Sequence, residues 1–116
     1  MAAGMGDSNG AEGRGLTKVQ IRRRDVEVTD VLRLHVERRV GFALGRFSDR
    51  IGSVIVRFSL LDDDRSGAHK RCQIEVGLRP QRVEVEDIDA DLFTAVNHAT
   101  DRATRSVARA LDWEAR

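Results

Sequence analysis

A single cysteine, Cys72, and a single proline, Pro80, stand among 116 residues. One thiol excludes an internal disulfide and any zinc site built from clustered cysteines, and it suits a reducing compartment. No apolar run approaches the ~20 residues that a membrane helix requires. The glycine-rich opening "MAAGMGDSNGAEGRG" also lacks the apolar stretch of a secretory signal. A soluble, cytoplasmic chain without a membrane partner is expected. That opening has too little apolar content to join a core. Residues 1–16 therefore read as a disordered tail and 17–116 as one small domain with a single modest core.

Chemical signatures are equally sparse. There is no phosphate-cradling glycine loop and no recognisable nucleophile triad. His35, His69 and His98 fall on separate predicted elements, without metal-ligand spacing and without a carboxylate or cysteine grouping beside them, so no metal is expected. The "DDDRSG" stretch lacks the calcium-loop pattern. Cys72 alternates with core residues and reads as a buried small hydrophobe. No catalytic residue, cofactor or small-molecule substrate is expected, and the chain is not expected to be an enzyme.

Charge of one sign is also missing in the total, which is only +1. Its distribution is uneven, however. Asp62, Asp63 and Asp64 form one acidic knot, and Glu84, Glu86, Asp87, Asp89 and Asp91 another, so eight of nineteen acids occupy two short segments. The other eleven face twenty Lys and Arg. A basic face is compatible with the neutral sum.

The apolar spacing orders the elements. "KVQIRRRDVEV" (18–28) alternates Val19 with Ile21 and continues to Val26 and Val28, a strand with a short bent extension. Thr29 is a good N-cap and Asp30 suits a helix's first turn. Leu32, Val36, Val40, Ala43, Leu44 and Phe47 then draw one stripe for a helix over about 30–47, which Gly41 and Gly45 weaken by ~1 kcal/mol each. "IGSVIVRFSLL" and "KRCQIEVGL" alternate as half-buried strands joined by a polar turn, and "RVEVE" follows the "GLRPQ" turn as a short fourth strand. Asp89 or Asp91 caps a last helix whose stripe is Leu92, Val96, Ala99, Ala103, Val107, Ala110 and Leu111. The expected fold is α+β: a two-layer β-α-β-β-β-α sandwich, with two helices packed on one face of a four-stranded sheet.

Cations line the far side of both helices. At 100° per residue, His98, Arg102, Arg105, Arg109 and Arg116 lie opposite Val96, within roughly 120–200° of it. His35, Arg39 and Arg46 share a flank of the first helix, with Arg38 beyond and Phe42 among them. Both rows are expected to face water. Arginines on a helix's outer face commonly serve only solvation, and Asp101 with Arg105 forms an ordinary i,i+4 pair. Repetition on two helices, the preference for arginine and the interleaved Phe42 instead suit phosphate, which a guanidinium grips as a fork. Arg22, Arg23 and Arg24 either extend this surface or guard an edge strand.

Two longer stretches carry a resemblance: "VQIRRRDVEVTDVLRLHVERRV…LGRFSDRIGSVIV" and "EVEDIDADLFTAVNHATDRATRSVARAL". Over about residues 18–111 the chain resembles the ribosome hibernation-promoting factor family, also called ribosome-associated inhibitor A or sigma-54 modulation protein, in its short form. The resemblance implies a β-α-β-β-β-α fold. It also implies binding to the small ribosomal subunit and its ribosomal RNA, in the channel for messenger and transfer RNA near the decoding region, so that translation is blocked without catalysis. Carried over by position, the RNA-binding residues are Arg38, Arg39, Arg46, Arg102, Arg105 and Arg109, with His98 added on geometry alone. The chain departs from the family in its lysine-poor helices, in Gly41 and Phe42, and in the acidic ending "LDWEAR". These departures leave a second reading open, that of a divergent relative working as a protein-interaction module through Val31, Leu34, Phe42 and Trp113. A weak homo-oligomer is compatible with either.

Overall fold

The computed structural model describes residues 19–61 and 69–114. The expected 1–16 tail, the acidic knot at 62–64 and Arg116 lie outside the described residues. Strand β1 (Val19–Arg24) leads into helix α1 (Asp30–Leu44), a 3-10 turn (Gly45–Arg50), strands β2 (Ile51–Leu61), β3 (His69–Leu78) and β4 (Arg82–Asp89), and helix α2 (Leu92–Glu114). The strands form one sheet in the order β1-β2-β3-β4. β1 runs parallel to β2, a pairing that needs a crossover, which α1 supplies; the other pairs are antiparallel. This is the expected α+β sandwich.

Local chemistry sets the boundaries. Asp25 ends β1 with φ of 62°, a left-handed conformation that aspartate tolerates, and the chain turns back towards α1. Val26 and Val28 therefore leave the strand, though both still pack on the core. Thr29 Oγ1 accepts from Leu32 N at 3.1 Å, the expected N-cap. The α-helix stops at Leu44, short of the expected 47, because the chain tightens into the 3-10 turn at Gly45. A cis Arg79–Pro80 bond sits in the β3–β4 turn, closed by Leu78 N donating to Gln81 O at 2.8 Å. Asp91 is the cap of α2. Its Oδ1 accepts from Phe93 N (3.0 Å) and its Oδ2 from the Thr94 hydroxyl (3.1 Å).

The core lies between the layers. Leu32, Val36, Val40 and Leu44 come from α1, and Ala95, Val96, Ala99, Ala103 and Val107 from α2; the alanines let that helix lie close on the sheet. Beneath them are Val54, Val56, Phe58, Cys72, Ile74 and Val76. Cys72 is fully buried, and burial, followed by the neighbouring Asp87 carboxylate, pushes its thiol up to about 12, so it is a packing residue and not a nucleophile.

Strand β4 is longer than the "RVEVE" expectation. It continues to Asp89, and Asp87 lies opposite Cys72, so the alternation Val83, Val85, Asp87, Asp89 faces the helix layer. Two carboxylates thus occupy positions where apolar residues were needed to show the strand in the sequence.

Candidate nucleic-acid interface

Burying Val96, Ala99, Ala103 and Val107 turns the opposite arc of α2 outward. Arg105 and Arg109 stand exposed on that arc, as does Arg38 on α1. None of the three makes a hydrogen bond or ion pair among the described residues. Arg46 is exposed on the 3-10 turn, its guanidinium carbon 4.6 Å from the Phe47 ring centroid, a cation–π arrangement.

The remaining expected residues are engaged within the fold. His35 and Arg39 were expected to face water, yet both sit half-buried in the seam between the helices. A hydrogen bond of 2.8 Å joins His35 Nε2 and Asn97 Oδ1, and the His35 and Phe93 rings lie 5.1 Å apart. Arg39 Nη2 donates across the seam to Asn97 O and Thr100 Oγ1, each at 3.2 Å, and to Asp101 Oδ1 at 3.3 Å. Its Nε is buried with no partner among the described residues. Thr104 Oγ1 closes the next rung on Ala43 O at 3.3 Å. The expected Asp101–Arg105 pair is therefore replaced. Asp101 takes its cation from the other helix, where the seam holds both groups together, and Arg105 has no partner among the described residues.

His98 and Arg102 share a different anchor. Asp87 Oδ2 lies 3.2 Å from His98 Nδ1, and Asp87 Oδ1 lies 3.5 Å from Arg102 Nη2. With its side chain only 10 % exposed, Asp87 is a mostly buried carboxylate that fixes both cations on the β4 side of α2. The expectation that no carboxylate stands beside a histidine is corrected here, since Asp87, Asp89 and His98 bring ligand atoms within 4.8 Å of one another. The Arg102 guanidinium already neutralises Asp87 and opposes a second cation there. Sequence reasoning missed Asp87; the signal was its place two residues beyond Val85 in the strand's alternation.

The seven expected residues thus fall into two groups. Arg38, Arg105 and Arg109 have no partner among the described residues and Arg46 is stacked on an aromatic ring, whereas Arg39, Arg102 and His98 are held by the fold. Exposed guanidinium groups without an internal acid retain their full capacity for a phosphate.

The β-α-β-β-β-α sandwich places the chain in an α+β class that solved structures share. The chain is similar to the Protein Y N-terminal domain of Thermus thermophilus, with 32% identity, a TM-score of 0.64, and coverage of 78% of this chain and 93% of that one. It shares its fold with a ribosomal subunit interface protein from Coxiella burnetii, with 15% identity, a TM-score of 0.68, and coverage of 84% and 98%. Among curated proteins none matches. The family model described as "Sigma 54 modulation protein / S30EA ribosomal protein" matches residues 19–112, and the chain belongs to that family. This is the hibernation-promoting factor family that the sequence resembles.

Proposed function

We infer that the chain binds the small ribosomal subunit in its decoding channel, through arginines on both helices, and blocks messenger and transfer RNA by occupying their space. Arg38, Arg105 and Arg109, with Arg46, make the primary phosphate contacts. Arg39, Arg102 and His98 face the same ligand from positions fixed by Asp101 and Asp87. The observation that carries this reading is that three outward arginines have no partner among the described residues, in a chain whose relatives are ribosome-associated. Silencing of this kind is stoichiometric and cytoplasmic. It requires no cofactor, no substrate and no reaction, and it is the work of one domain over 17–116.

Cosedimentation of the whole chain with isolated small subunits, at low and then raised salt, tests the reading. Near one-to-one pelleting that salt removes is expected, because log affinity falls by ~0.7–0.9 per neutralised phosphate against log salt. Absence of pelleting by the folded protein contradicts it.

One observation favours the second reading, a protein-interaction module. Val31, Leu34 and Phe42 are exposed on α1, Phe42 by 88 %. Phe42→Ala with Leu34→Ala separates the two, since it leaves salt-sensitive pelleting intact if phosphate contacts dominate and removes an apolar association.

A further inference from the structure

Beside the arginine row, the last turns of α2 and the start of β4 flank an open, shallow groove of about 450 Å³. Val83 and Ala110 give it an apolar wall, and Trp113, 72 % exposed, presents a large aromatic surface. Four polar groups line it without a side-chain partner among the described residues: the Gln81 amide, the Ser106 hydroxyl, the Arg109 guanidinium and the Trp113 indole N–H. Glu84, also lining it, is occupied by Gln73 Nε2 at 3.0 Å.

We propose that this groove takes one unstacked nucleobase of a single-stranded RNA, stacked on Trp113, with Arg109 on the adjoining phosphate and the Gln81 and Ser106 side chains at the base edge. An exposed indole beside an unpaired guanidinium is the combination that single-stranded nucleic acid rewards, since every base has a π-face and every link a charge. A base edge offers both donors and acceptors, which matches an amide and a hydroxyl better than a simple anion does. The Glu84 carboxylate, of the wrong sign for phosphate, favours a base over a second phosphate at the β4 end. The inference deepens the RNA reading and rests on it for biological context, but its test needs no ribosome.

Trp113 is the sole tryptophan and there is no tyrosine, so intrinsic emission reports on this groove alone. The whole chain is titrated at low salt with a single-stranded octaadenylate, with an RNA duplex of equal phosphate number and with polyphosphate. Quenching by the single strand, and not by the other two, is expected. By anisotropy of a labelled octaadenylate, Trp113→Ala weakens binding about five- to hundredfold and Trp113→Phe retains most of it. Unchanged emission at saturating single strand, or equal quenching by duplex or polyphosphate, overturns the proposal. Intact quenching in a protein that fails to pellet with small subunits leaves the groove standing and removes only the ribosomal reading.

Discussion

The two broad faces of the sandwich both carry arginines and treat them differently. On the solvent face of the sheet, Glu75 receives Arg57 at 2.9 Å and Arg82 at 2.6 Å, while Arg71 lies 3.9 Å from Glu86 and also donates to Ser59 Oγ at 3.3 Å. On the helical face, Arg38, Arg105 and Arg109 meet no acid among the described residues. Pairing, rather than the number of arginines, separates the neutralised guanidinium groups around Glu75 and Glu86 from those that still need an anion on the helices. A net charge of +1 is therefore compatible with exposed arginines that have no acid beside them among the described residues.

The largest effect is expected from charge reversal on the helical face. Arg105→Glu with Arg109→Glu is expected to lower small-subunit affinity at least about a hundredfold, with the melting temperature unchanged; persistence of binding would put the contact elsewhere. Next in size, Arg39→Ala removes the guanidinium that joins α1 to three acceptors on α2, and is expected to cost about 1–2 kcal/mol, seen as a Tm lower by several degrees. Its effect on affinity should be smaller than that of the double reversal.

The smallest effect belongs to the sheet. Hydrogen bonds from Arg82, then from Arg57, hold the Glu75 carboxyl below its ordinary 4.5. A depressed carboxyl contributes stability above the unfolded value and loses it as pH falls through the lower folded one. Glu75→Gln should thus lower Tm by no more than a few degrees near neutrality, with the difference from wild type shrinking as pH falls below 4.5 and through the lower folded value. Ribosome binding should be unaffected; a clear loss would bring the sheet face into the contact.

Much of this architecture was legible because its signals are local. Period-two alternation in β2 and β3, and the spacing of Val96, Ala99, Ala103 and Val107, need only neighbours along the chain. The Thr29 cap was legible for the same reason. What escaped was non-local. Arg39 and Asp101 are 62 residues apart, and helix spacing assigned Asp101 to Arg105 because only contacts along one helix can be read from sequence. Asp87 broke the apolar pattern of β4, and its reason for lying inward, the cations of α2, comes from another element. The groove at Trp113 likewise joins two elements, and no periodicity announces it.

The most direct test of the central claim is the salt dependence of small-subunit affinity for wild type, Arg105→Ala with Arg109→Ala, and Arg71→Ala. Loss of two phosphate contacts is expected to flatten the slope of log affinity against log salt by about 1.4–1.8 in the helix variant, and to leave it unaltered in the sheet variant. An unaltered slope in the helix variant, or a flattened one in the sheet variant, would contradict the account.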